Sequence, residues 1–308
     1  MLNDHWIADL RRIHDQAFSI DWQAHVDEAN RRLALAGDDA LRLSLPGLPP
    51  LWFNGDVQSI EPGQWTLVLS LNHQLGDEKH APSAPNLWDW CRTHNRVLWY
   101  WRFFRPLVQL ASMVLTGDAA SVDEREYATT RMVFVELCPY ASPAFRLGAE
   151  QITELVNIDP GFETAAKVRD ILINQAEPAL ILLNGKPTLE SFEAIYGDRL
   201  DDWHRLTYAS PESEARKLWH SQGFFRQARR RIPIVGFPFL RTRMSHNSNA
   251  EIRQLAAKAR QFFLTQRLRA LVQFLPQFEE ANFKFGTLIE PESKMGVIRL
   301  PLVSVGRG

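Results

Sequence analysis

Four short hydrophobic runs, each closed by polar or turn residues, constrain this chain most strongly: residues 65–71, 132–137, 179–184 and 232–237. A strand with one face in water alternates apolar and polar residues, whereas these runs are unbroken. Unbroken apolar strands belong to parallel sheets covered on both faces. Segments with helical spacing separate them, at 86–115, 150–175, 188–196 and 249–274. The alternation predicts an α/β fold of three layers, a central, mainly parallel four-stranded sheet flanked by helices.

Residues 203–208 and 217–224 read as a hairpin inserted before the fourth strand. The first fifty residues read as helical, with Trp6, Leu10, Ile13 and Phe18 at roughly helical spacing, until Pro46 and Pro50 break the pattern. The predicted organisation is an N-terminal helical extension, 1–55, followed by one α/β domain, 56–308. The last helix starts on Ser248-Asn249-Ala250-Glu251, which has the form of a capping box. Ile252, Leu255, Ala259 and Phe262 make its buried stripe.

Composition bounds the class. With 308 residues, 45% of them hydrophobic, the chain can bury a substantial core. Its first twelve residues mix Asp4, Asp9, Arg11 and Arg12 with apolar side chains, which is not the pattern of a signal peptide. Two cysteines, Cys91 and Cys138, make no disulfide framework, and a reducing, cytoplasmic setting is expected. There is no CxxC, no HExxH and no glycine-rich phosphate loop, so no metal and no cofactor are expected.

The net charge of −1 conceals an asymmetry. Residues 226–269 carry eleven Lys or Arg against the single acid Glu251, a net +10, which leaves −11 for the rest. A face of that sign suits an anionic partner, although a solvated arginine-rich helix surface would give the same count.

In open α/β sheets the ligand crevice lies beyond the carboxyl ends of the strands. Those ends read Asn72-His73-Gln74, Glu136-Leu137-Cys138-Pro139-Tyr140, Asn184-Gly185-Lys186 and Phe237-Pro238. Over roughly residues 60–265 these motifs resemble the uracil-DNA glycosylase superfamily, and within it the single-strand-selective monofunctional branch. That family ends its first strand in a Gly-Met-Asn-Pro-Gly-like turn, where this chain has Ser70-Leu71-Asn72-His73-Gln74. Its second strand ends Asn-Leu-Cys-Pro, and here the residues are Glu136-Leu137-Cys138-Pro139. A His-Pro-Ser loop follows its fourth strand; this chain has Phe237-Pro238 and then Ser245-His246-Asn247-Ser248. The Pro-Gly after the first Asn is missing, and the last loop aligns in two registers.

The resemblance implies hydrolysis of an N-glycosidic bond, which builds positive charge on the sugar and negative charge on the departing base. By resemblance Asn72 holds the attacking water and His246 donates to the base oxygen. Asp77 is an alternative base, and an Asn that merely caps its turn is the alternative role for Asn72. Glu136 stands where uracil-specific relatives carry an asparagine. An ionised glutamate only accepts hydrogen bonds, so it would favour the amino edge of cytosine over a carbonyl edge. A carboxylate paired with a nearby arginine is the alternative. Tyr140 is a candidate to stack on an extruded base or simply to pack, and Asn184 to bind the base or close its turn. Arg241, Arg243 and Ser245 are expected on flanking phosphates.

The leading expectation is therefore a monomeric, monofunctional DNA glycosylase that flips out a modified cytosine, such as the hydroxymethylated or glucosylated cytosine of some phage genomes, in a defence role. Lys186 is the one lysine near a strand end, so a lyase step is not expected. Alternatives are a uracil- or damaged-base repair glycosylase, a non-catalytic DNA-binding relative, and a nucleoside or nucleotide hydrolase.

Overall fold

The computed structural model describes residues 5–17, 19–34, 42–45, 53–71, 88–89, 101–118, 123–142, 147–227, 230–240 and 246–274. The chain divides into two compact units, Met1–Thr265 and Gln266–Gly308. Of the second, only the final turns of the last helix are described.

Helices α1 (His5–Ala17) and α2 (Trp22–Arg32) precede strand β1 (Thr66–Ser70). Helices α3 (Trp101–Thr116) and α4 (Glu124–Thr130) lead to β2 (Met132–Glu136). Helices α5 (Ala149–Ile158) and α6 (Pro160–Asn174) lead to β3 (Leu180–Asn184), and α7 (Lys186–Tyr196) follows. Strands β4 (Leu200–Ser210), β5 (Ser213–Arg226) and β6 (Arg231–Phe237) come next, and α8 (Asn249–Phe274) is last.

The strands form one sheet in the order β2-β1-β3-β6-β5-β4. The four predicted runs are its parallel part, β2-β1-β3-β6. The sheet has six strands rather than four, because the hairpin of β4 and β5 pairs antiparallel with β6 and continues it. Strand β4 sits at the edge with its residues mostly half-buried or exposed, so it carries no apolar run. Ser221 of β5 pairs with Gly236 of β6, so residues 213–219 of β5 reach past the carboxyl end of β6.

Both faces of the parallel part are covered, which explains the unbroken apolar runs. Leu67, Leu69, Val133, Val135, Ile181, Leu183 and Ile234 point toward a core shared with α1, α6 and α7. Trp6 and Leu10 of α1 lie in that core, so the first helix is packed on the sheet. Val68, Met132, Phe134, Leu180, Leu182, Val235 and Phe237 point the other way, against α3, α4 and α8. The stretch predicted as one helix at 150–175 is two: Pro160 starts α6 and cannot donate to a continuing helix, while the Asp159 carboxylate accepts from Phe162 N (3.0 Å).

Candidate functional site

Side chains alternate along a strand, so the residue after each inward-facing apolar position is fixed by geometry. Val68, Phe134, Leu182 and Val235 face the α3–α8 core. Two residues on, Ser70, Glu136, Asn184 and Phe237 share that face at the carboxyl edge. Register aligns them: Ser70 is opposite Glu136, Asn184 is opposite Phe237, and Ser70 lies one step beyond the Leu69–Leu183 pair. Adjacent strands are about 4.8 Å apart, so Glu136 and Asn184 flank Ser70 with roughly 10 Å between their backbones. The first three make a polar row on an otherwise apolar face.

That row has unmet hydrogen-bonding capacity. Glu136 Oε2 and both amide atoms of Asn184, Oδ1 and Nδ2, are buried with no partner among the described residues. Asn184 is only 1% exposed, and its backbone carbonyl accepts from Thr188 Oγ1 (2.8 Å). A buried polar atom left unpaired costs about 1–3 kcal/mol, and such atoms are rare in folded proteins. Three of them fall in this one row.

Burial alone pushes the Glu136 carboxyl up to about 8. No arginine or lysine pairs with it among the described residues, so the alternative of an arginine-paired carboxylate has no support there. The expectation of an ionised, acceptor-only glutamate is corrected for the same reason: at neutral pH the acid is mainly protonated, with one O–H to donate and a carbonyl to accept.

Two other expectations change. Tyr140 is wholly buried; its hydroxyl donates to Asp159 Oδ1 (2.8 Å) and its ring meets Phe162 edge-on. It is a core residue, and its ring is not presented for stacking. His246 is also wholly buried, between the hairpin and α8. Its surroundings form a chain whose hydrogen-bond directions can be worked out. His204 Nδ1 faces the Asp202 carbonyl (2.7 Å) and must donate, leaving its Nε2 to accept from Gln222 Nε2 (3.3 Å). Gln222 Oε1 then accepts from His220 Nε2 (2.9 Å), and His220 Nδ1 accepts from the Tyr208 hydroxyl (3.0 Å). Tyr208 in turn accepts from His246 Nε2 (2.9 Å). Burial pushes His220 and His246 down to about 4, so both are neutral at neutral pH. A neutral His246 spends its one N–H on Tyr208 and has no proton left for a base oxygen.

The basic segment is divided. Arg226, Arg230 and Arg231 lie at the amino end of β6, away from the polar row, where they pair with Asp201, Glu177 and Asp202. Arg260 donates to the Val114 and Leu115 carbonyls at the end of α3. Asn72, Asp77, Arg241, Arg243 and Ser245 lie outside the described residues.

No protein-family model matches the chain, and no curated protein matches it.

Sequence reading missed Ser70 as a member of the row, although its position at a strand end was visible. It also missed Phe239, which is 38% exposed, with its ring over Gly185. Arg169 was invisible to it as well: a fully buried guanidinium on α6 that donates to the Leu137 carbonyl (3.3 Å) and to Tyr196 Oη (3.3 Å). It clamps the residue that follows Glu136. Among the described residues no three His, Cys, Asp or Glu side chains converge where a metal could sit, and no helix is long and apolar enough to cross a membrane. Described Cys138 is a buried free thiol.

Proposed function

We propose that the protein is a monofunctional DNA glycosylase that extrudes a modified cytosine and hydrolyses its bond to the sugar. The observation that carries this reading is the row Glu136–Ser70–Asn184 at the carboxyl edge of the sheet, in which Glu136 Oε2 and both amide atoms of Asn184 are buried without partners. Uncharged groups that both donate and accept suit the edge of a neutral heterocycle better than a phosphate or a metal.

A protonated Glu136 donates its O–H to N3 of cytosine and accepts from the 4-amino group, a bidentate fit. Asn184, on the far side of Ser70, would donate its amide N–H to the O2 oxygen, where charge collects as the base departs. Asn72, two residues past Ser70, would hold the attacking water. Discrimination against unmodified cytosine then rests on the substituent and not on this edge. With its proton on the other oxygen, the same acid fits the N3–H and O4 of a 4-oxo pyrimidine. Neutral Glu136 therefore favours, as the second reading, a repair glycosylase acting on uracil or a damaged 4-oxo base.

The test is direct. The purified protein is incubated with DNA containing hydroxymethylcytosine, glucosylated hydroxymethylcytosine, uracil or only normal bases, and alkali-labile sites are counted. Cleavage confined to modified cytosine supports the first reading, and cleavage confined to uracil the second. Intact DNA in every case would remove both.

A further inference from the structure

We propose that the hairpin of β4 and β5 is a docking surface for the DNA strand beside the extruded nucleotide, with Arg205 and Lys217 on its phosphates. The inference rests on the reading that the polar row takes a base from DNA. It adds to that reading a surface that the parallel four-stranded plan lacks. Register places the hairpin. Asn184 is level with Phe237, and Ser221 of β5 pairs with Gly236. His220 is therefore level with Asn184 two strands away, with roughly 10 Å between their backbones. Residues 213–219 of β5, with 207–210 of β4 beside them, stand past the carboxyl edge. Lys217, three residues beyond that level, reaches about 10 Å past it.

Two strands alone are marginal in water, and this overhang is held from one side. The Ser210 hydroxyl donates to Glu251, Gln254 Nε2 donates to the Ala209 carbonyl (3.1 Å), and Arg216 pairs with Glu251 (3.1 Å). Side chains alternate along each strand. His204, Tyr208 and Arg216 turn toward α8, where they meet Phe262, Lys258 and Glu251. Arg205, Thr207 and Lys217 turn the other way and are exposed. No carboxylate pairs with Arg205 or Lys217 among the described residues. Of the two acids at the tip, Glu212 sits in the turn, and Glu214 shares the α8 side with Arg216. The Arg205 guanidinium lies over the Trp219 ring (4.3 Å), which fixes its plane and leaves its N–H edge to a phosphate. The row opens on the α3–α8 face and the two cations on the opposite one. A strand that gives its base to the row therefore crosses the sheet edge and brings its next phosphates to the hairpin. Charge complementarity favours that occupant, since a nucleic-acid backbone is anionic at every step.

The experiment uses the full chain, Arg205→Gln, Lys217→Gln and the double variant, with Arg230→Gln, whose charge is spent on Glu177, as the comparison. Thermal melting checks folding, which these exposed side chains should scarcely affect. Fluorescence anisotropy over a salt series uses single-stranded oligonucleotides carrying one 5-hydroxymethylcytosine, one uracil or only normal bases, and alkali-labile sites are counted on each. The double variant is expected to lower the salt slope by about 1.4, twice the ~0.7 that each single-strand phosphate contributes, and each single variant by half of that. Arg230→Gln is expected to keep the parental slope. Parental slope and affinity in the double variant, with cleavage by the parent intact, would overturn the hairpin surface and leave the glycosylase reading standing. A lowered slope in a protein that cleaves none of the DNAs would keep the hairpin as a DNA contact and remove the glycosylase reading. A parent with no salt-dependent binding to any of the strands would remove both.

Discussion

At the scale of single residues, Glu136 ties selectivity to pH. As a neutral acid it accommodates an amino or a carbonyl edge; once ionised it accepts only, and carbonyl edges are repelled. Cleavage of paired substrates from pH 6 to 9.5 is expected to show preference narrowing toward the amino edge as pH rises through about 8. Glu136→Gln keeps one donor and one acceptor but cannot ionise, so it should hold its pH 7 preference throughout. The same shift has a stability consequence. The folded state keeps a proton that the unfolded chain releases above about 4.5, so stability falls as pH rises from there to about 8. Chemical denaturation between pH 6.5 and 8, above the window in which the buried histidines act, should show the falling slope in the parent and not in Glu136→Gln.

Among the elements, the hairpin and the turn that leads into α8 are joined by the chain His246–Tyr208–His220–Gln222–His204. Two of its histidines are held near 4, well below the ordinary 6.5, because burial disfavours their charge. The unfolded chain takes up protons first, so stability is full above about 6.5 and is lost as pH falls toward 4. Melting temperatures are expected to drop over that window and to drop less in a His220→Gln, His246→Gln double variant. Asp159 is a second junction, capping α6 and accepting from Tyr140. Its replacement by Ala is expected to cost about 2–4 kcal/mol in urea unfolding, from the lost cap and the stranded hydroxyl together.

The parallel strands were legible because burial on both faces leaves a continuous apolar signature. The break at Asp159-Pro160 was missed because helical periodicity runs through it. Strand β4 left only a partial trace, since an edge strand has one half-wet face. Of the site, Glu136 and Asn184 were visible as polar punctuation at strand ends. The protonation of Glu136 was not, because it arises from everything around the residue and not from its neighbours in sequence. The burial of Tyr140 and the engagement of His246 depend on Asp159 and Tyr208, both distant along the chain, and no local pattern announces them.

For the whole molecule, part of the positive charge at 226–269 is already committed within the fold. Arg230 and Arg231 are committed to Glu177 and Asp202 at the end of the sheet remote from the polar row. Their replacement by Gln should leave DNA affinity within about twofold, whereas Arg241→Gln and Arg243→Gln should each weaken it and lower the salt slope by about one. Fluorescence anisotropy over a salt series distinguishes the two pairs. The strand order also sets a timetable for synthesis. Thr66 of β1 is paired on one side with Met132 and on the other with Leu180. A nascent chain that has emerged only as far as β2 can therefore pair β1 with β2 alone, with one flank of β1, fully buried in the finished fold, still bare and adhesive. Ribosomal pausing between residues 137 and 180 would lengthen that exposure, and it is there that a chaperone would have the most to protect.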